Sequence, residues 1–167
     1  MSLTTKEKGD RGEKIAAGWL EAHGLRILDR NWRHHHLELD IIASGPLLCS
    51  DGSIEDNLYG STSDKLYERT DVLSKAGRQM FLHIVEVRSR TSSYRADAQN
   101  AEEESSPLVS PQYTVLPGKQ KFLISAADAY CRQKQIHLEV VFDVVSIEFL
   151  ENGHRISFIP EAFRPKW

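Results

Sequence analysis

Apolar and polar residues alternate along the chain in a pattern that predicts two helices and five strands. Apolar side chains recur every three or four residues in two segments, which predicts helices over residues 5–23 and 117–135. Alternating or continuous apolar runs predict strands over residues 25–32, 37–43, 79–88, 138–150 and 155–159. The order of helix, three strands, helix and two strands indicates the α/β class, with a mixed sheet flanked by helices.

Each predicted helix carries one charged residue close to its apolar stripe. Glu13 precedes Ala16 and Leu20 by three and seven residues, so it lies at the edge of the first stripe and can point inward. In the second helix, Lys119 lies three residues before Phe122 and therefore near the second stripe. The members of that second stripe are predicted to be Phe122, Leu123, Ala126, Ala127 and Tyr130.

The chain of 167 residues is long enough for one domain and short for two, so residues 1–167 are predicted to form a single domain. Residues 44–78 lose periodicity and gather Ser, Gly, Asp and Asn, which indicates an insertion or mobile loop. Residues 89–116 are polar and contain an acidic run and two prolines, which indicates a flexible connection.

Composition narrows the class of protein only partly. A net charge of -3 argues against a nucleic-acid partner, yet outside residues 44–78 and 97–104 the chain holds 14 acidic and 17 basic residues. No apolar run approaches the ~20 residues that cross a bilayer, so we expect a cytoplasmic protein without a membrane partner. Cys49 and Cys131 lack ligand-like spacing and are expected to be ordinary thiols.

Two of the predicted strands carry charges in positions that an ordinary half-buried strand does not use. Glu86 and Arg88 are two residues apart in an apolar strand and therefore share one face. Asp40 lies in the preceding strand. Carboxylate oxygens from neighbouring strands suit Mg²⁺ or Mn²⁺, which bind few protein ligands and complete their shell with water and phosphate oxygens. A third carboxylate is available from Glu13.

Six blocks along most of the chain together resemble the YraN-like family, also called UPF0102. The blocks are Gly9-Asp10-Arg11-Gly12-Glu13, Leu28-Asp29-Arg30-Asn31-Trp32-Arg33, Glu38-Leu39-Asp40-Ile41-Ile42-Ala43, Val85-Glu86-Val87-Arg88-Ser89-Arg90, Lys119-Gln120-Lys121 and Phe142-Asp143-Val144-Val145. This family in turn resembles Holliday-junction resolvases and the restriction-endonuclease-like superfamily, whose site is an Asp followed by Glu-x-Lys on the next strand.

The resemblance implies an endonuclease-like fold and assigns roles to individual residues. It makes Asp40 and Glu86 metal-binding acids and matches Glu13 to the helix glutamate of the resolvase-like arrangement. Arg88 stands where the superfamily pattern has lysine, and a guanidinium cannot take a proton from water although it can stabilise phosphate charge. Lys119 is the nearest candidate to supply an ammonium instead.

Structural explanations compete with the metal site. Glu86 could form an ion pair with Arg88 or Arg90, and Glu38, which shares a strand face with Asp40, fits a charge at the rim. Three further residues, His34, His35 and His36, lie on a predicted turn, where consecutive side chains rarely converge on one ion. Asp143 lies among apolar strand residues, where a structural pairing with a backbone or arginine partner is expected.

Three functions therefore fit the sequence. The first is nucleic-acid binding, to DNA rather than RNA, with hydrolysis of phosphodiester bonds in branched or processed substrates by Mg²⁺ or Mn²⁺. In that function Asp40, Glu86, Arg88 and Lys119 form the catalytic group. The second is a binding module without turnover, and the third is a protein-interaction scaffold. The resemblance to resolvases also makes a homodimer possible, because a four-way junction has two-fold symmetry.

Overall fold

The computed structural model describes residues 4–54, 79–91 and 115–165, which form two helices and five strands in the predicted order. The elements are α1 (Thr5–Ala22), β1 (Arg26–His34), β2 (Leu37–Gly45), β3 (Phe81–Thr91), α2 (Pro117–Lys134), β4 (Glu139–Leu150) and β5 (Gly153–Phe163). The α/β class is confirmed. Within these residues no helix is long and apolar enough to span a membrane.

The five strands form one mixed sheet in the order β1-β2-β3-β4-β5. Neighbouring strands are antiparallel except β3 and β4, which are parallel and are connected through α2. A parallel pair needs a crossover connection, so the one long helix after β3 fits this topology. The two helices cover opposite faces of the sheet, each with its own apolar cluster.

The local sequence accounts for the helix boundaries. The Thr4 hydroxyl accepts a hydrogen bond from the Glu7 N–H, and the Glu7 carboxylate accepts one from the Thr4 N–H, which closes a capping box at the start of α1. Pro117 begins α2, where its missing N–H costs nothing. Gln135 ends α2 with a φ of 55° in the left-handed region.

Two strands extend beyond their predicted ends, into the segments predicted to be mobile. β2 continues through Gly45, and the residues after it include Leu48, which is 2% exposed and forms a bridge with Ile54. β3 continues to Thr91 because its whole length pairs with β4. The remainder of the predicted insertion and of the predicted connection, residues 55–78 and 92–114, lies outside the described residues.

Gly12 brings α1 into close contact with β3. A Cβ atom at Gly12 would lie 1.8 Å from the Ser89 Oγ and 3.1 Å from the Ser89 Cβ, so only glycine fits without displacing the strand residue. Gly9, one turn earlier, has no atom within 4 Å of the equivalent position. Although glycine is a poor helix former, Gly12 is therefore required by the packing of α1 against β3.

We expect Gly12→Ala to destabilise the protein by about 1–3 kcal/mol, because the methyl group overpacks the α1–β3 contact. Gly9→Ala is the matched control and should instead stabilise α1 by about 0.5–1 kcal/mol through its better helix propensity. Urea unfolding of both variants measures the difference. Equal effects of the two substitutions would contradict the close contact.

A buried polar pair joins β3 to β4. His83 and Asp143 are 1% and 2% exposed, and the His83 Nδ1 lies 2.7 Å from the Asp143 Oδ2. The His83 Nε2 lies 3.1 Å from the backbone oxygen of Pro46. Both ring nitrogens of His83 therefore have a hydrogen-bonding partner. The other Asp143 oxygen accepts a hydrogen bond from the backbone N–H of Glu161 at 2.8 Å. Both oxygens of this acid thus have structural partners.

Asp143→Ala should destabilise the fold by about 3–5 kcal/mol, because it leaves the His83 ring buried without its partner. The control is Asp128→Ala, which removes an exposed ion pair with Arg132 on α2 and should cost at most about 1 kcal/mol. Chemical denaturation compares the two. A loss for Asp143→Ala no larger than that of the control would contradict the role given to the buried pair.

Candidate metal centre

The candidate site lies where the pairing of β2 and β3 ends. Backbone pairing runs from Gly45 opposite Phe81 to Ile41 opposite Val85, and Asp40 is the next residue of β2. The Val87 N–H donates to the Asp40 Oδ2 at 2.8 Å instead of to a strand carbonyl. The Asp40 carboxylate is therefore held between the two strands by the backbone of β3.

Glu86 lies on the face of β3 that α2 covers, as the alternation of the strand predicts. Its side chain is 14% exposed, and its Oε2 lies 3.1 Å from the Nζ of Lys119. The contact has the distance of an ion pair without the alignment of a hydrogen bond, which leaves this buried oxygen incompletely satisfied. Lys119 itself is 43% exposed, so its ammonium can leave Glu86 for solvent or a ligand.

Burial disfavours the charged form of both carboxylates. It raises the pKa of Asp40, the Val87 N–H and Lys119 oppose this shift, and the charge of Glu38 adds to it. Burial also raises the pKa of Glu86, the charge of Asp40 raises it further, and Lys119 and Arg88 oppose the shift. Asp40 and Glu86 thus lie within electrostatic range of each other, in surroundings that favour an added cation.

Glu13 approaches the same site from α1. Its Oε2 accepts a hydrogen bond from the Asn31 side-chain amide at 2.7 Å. Burial is the main cause that raises the pKa of Glu13, the bond from Asn31 opposes it, and the charge of Asp40 adds to the increase. Glu13 is therefore an electrostatic neighbour of Asp40, oriented by β1.

The structure also places the charges that competed with the metal site in the sequence. Arg90 lies 3.1 Å from Glu148 on β4, whereas the cation in ion-pair contact with Glu86 is Lys119. Arg33 binds Glu38 at 2.7 Å on the exposed β1–β2 hairpin, in agreement with a rim position for Glu38.

The donor set fits a hard divalent ion with an incomplete protein shell. Among residues 4–54, 79–91 and 115–165, no group of three His, Cys, Asp or Glu side chains is arranged to hold an ion. Asp40 and Glu86 instead offer oxygens on adjoining strands, and Mg²⁺ commonly binds one or two carboxylates while water and phosphate oxygens complete its shell. Such an ion would bind to the Glu86 oxygen, which is buried and incompletely satisfied.

Three features of the site region were missed from the sequence. The first is Asn31, whose side chain orients Glu13. The backbone of Asn31 has a φ of 51°, a conformation that asparagine tolerates better than most residues.

The second is Phe122. It was predicted to belong to the apolar stripe of the second helix, and this is wrong, because it is 52% exposed. The buried stripe of α2 is Leu123, Ala126, Ala127 and Tyr130. Lys119 precedes Leu123 by one turn and so does lie in line with the stripe.

The third feature is His83. No local pattern in the sequence indicated that this residue has a buried partner on the neighbouring strand.

A mixed sheet with one helix on each face, and acids where two strands part, is consistent with the restriction-endonuclease-like fold. The profile of the uncharacterised protein family UPF0102 matches residues 12–147. The chain belongs to this family.

Relatives in other bacteria match nearly the whole chain. A UPF0102 protein of Bacteroides thetaiotaomicron is 32% identical over 95% of this chain and 93% of its own length. One from Parabacteroides distasonis is 31% identical, with 94% and 92% covered. One from Geobacter metallireducens is 29% identical, with 98% and 97% covered. The similarity therefore includes the described helices and strands that form the candidate site.

Asp40→Asn should raise the free energy of unfolding near neutral pH, in metal-free buffer, by about 0.5–2 kcal/mol. The amide removes a buried charge and keeps an acceptor for the Val87 N–H. Because the pKa of Asp40 is raised on folding, the folded protein retains a proton that the unfolded chain has lost. The stability of the natural protein consequently falls as the pH rises from the usual carboxyl pKa through the raised value.

Urea denaturation from about pH 3 to about pH 8 measures this effect, with EDTA present. The advantage of Asp40→Asn should grow with pH across that window. A variant that is less stable than the natural protein at neutral pH would contradict the electrostatic description of the site.

Proposed function

We propose that the protein is a divalent-metal-dependent nuclease that binds DNA and hydrolyses phosphodiester bonds in branched or processed substrates. The observation that supports this most strongly is the pair of largely buried carboxylates on adjoining strands, Asp40 and Glu86, together with the buried Glu86 oxygen that lacks an aligned hydrogen-bond donor. Within the described residues Glu86 is paired with the half-exposed Lys119, whereas Asp40 has a backbone N–H as its partner and no ion pair, which leaves room for a cation between them.

Each residue then has a role that its surroundings allow. Asp40 and Glu86 would hold Mg²⁺ or Mn²⁺. Glu13 would influence the protonation of Asp40 through its own charge, or would contact the water molecules bound to the ion. The ion would polarise the phosphodiester and lower the pKa of the attacking water. Lys119, half exposed and in contact with Glu86, would move to a phosphate oxygen and stabilise its charge.

Arg88 favours a second candidate function, nucleic-acid binding without turnover. It stands where the superfamily pattern has lysine, and its permanently charged guanidinium holds phosphate but cannot act as a base. The Lys119 ammonium beside Glu86 is the reason we prefer a nuclease, because it supplies the missing amine from α2.

Cleavage assays on four-way, flapped, single-stranded and RNA substrates test the nuclease proposal. We expect a Mn²⁺- or Mg²⁺-dependent product from DNA, lowered at least about 100-fold by Asp40→Asn and by Glu86→Gln. Asp128→Asn is the matched control, because Asp128 lies on α2 and pairs with Arg132 at the surface. Its rate should stay within about two-fold of the natural protein.

The alternatives give different results in the same assay. Equal product from the natural protein and from both site variants would overturn the nuclease proposal. Binding without any product, combined with cleavage by Arg88→Lys, would establish a binding module in which the arginine blocks turnover. No binding to any substrate would exclude both functions.

A further inference from the structure

An exposed aromatic surface lies one helical turn from the candidate metal centre. Phe122 of α2 is 52% exposed, and Leu116, at the start of the same helix, is 69% exposed. The ring centroid of His36, in the β1–β2 hairpin, lies 5.9 Å from that of Phe122 in an edge-to-face contact. We call Leu116, Phe122 and His36 the aromatic surface.

Phe122 and Lys119 are neighbours on α2. Residues three apart on a helix have Cβ atoms about 5–6 Å apart, so the Phe122 ring lies beside the lysine that contacts Glu86. A ligand that reaches the Lys119 ammonium is thus in position to touch the ring as well. The aromatic surface and the metal centre form one continuous area.

The charges around this surface favour a polyanion. The first turn of α2 contains no acidic residue, although acids are the favoured charge there, and Lys119 and Lys121 lie at this end of the helix. The hairpin opposite contributes the exposed His34 and His35, and its nearest acid, Glu38, is bound by Arg33. An apolar surface beside two lysines and exposed imidazole rings, which can donate hydrogen bonds, suits a ligand that alternates flat rings with phosphates.

We infer that Phe122 is a stacking platform for an unpaired base, and that the site therefore acts on nucleic acid with a single-stranded segment. This inference rests on the proposed function and specifies its substrate. The base would stack on the exposed ring of Phe122, which lies in edge-to-face contact with His36. The adjoining phosphate would then lie near Lys119 and the carboxylates Asp40 and Glu86.

Fluorescence anisotropy with labelled single-stranded DNA tests the platform, with Ca²⁺ in place of Mg²⁺ to prevent turnover. Phe122→Ala should weaken binding about 5- to 100-fold, whereas Phe122→Trp should retain it. The salt dependence of Phe122→Ala should match that of the natural protein, because stacking releases no counterions. Leu150→Ala, at an exposed apolar position on β4, is the control and should bind normally.

Phe122→Trp also gives a direct readout, because a base stacked on the new indole should quench its emission relative to the natural protein. Binding of single-stranded DNA by Phe122→Ala at the natural affinity, or an equal loss for blunt duplex DNA, would overturn the platform and leave the proposed function standing. If the natural protein binds no nucleic acid, the proposed function and the platform both fail.

Discussion

The candidate site depends on two largely buried carboxylates that lie within electrostatic range of each other, with one half-exposed lysine in contact with Glu86. Asp40 and Glu86 each have a pKa raised by burial, and Asp40 raises the pKa of Glu86 further. Such an arrangement is unfavourable for folding alone, since unbalanced buried charge opposes stability. It is favourable for binding a cation, which relieves both desolvation and repulsion. This unfavourable burial of charge is the basis of the proposed metal site.

The topology of the sheet produces this arrangement from distant parts of the chain. The end of antiparallel pairing between β2 and β3 leaves the Val87 N–H for Asp40. The parallel pairing of β3 with β4 requires a crossover, and the crossover helix α2 brings Lys119 over Glu86. On the other face, Gly12 lets α1 approach β3 and places Glu13 within electrostatic range of Asp40. Each side chain of the site is thus positioned by a packing requirement of its own.

The sequence predicted the elements well because periodicity is a local property, and it brought Asp40, Glu86 and Lys119 under consideration because charges interrupt apolar patterns. Glu13 came under consideration because it lies at the edge of the apolar stripe of α1, and the resemblance to UPF0102 then matched it to the helix glutamate of the resolvase-like arrangement. Long-range pairing could not be predicted in the same way: Lys119 rather than Arg88 or Arg90 meets Glu86, and His83 meets Asp143 through the register of β3 and β4. Phe122 was misplaced because it lies one residue before Leu123, at the edge of the buried stripe, and only the packed helix shows which edge of the stripe faces solvent.

The central claim is that Asp40 and Glu86 jointly bind one divalent cation. Carboxyl ¹³C NMR of the two residues, recorded during a Mg²⁺ titration at constant pH, tests it most directly. The account predicts that both carboxyl resonances shift with a single binding curve, and that the pKa of each falls from its raised value when Mg²⁺ is present. Resonances and pKa values that do not respond to Mg²⁺ would contradict the metal centre, whatever the fold resembles.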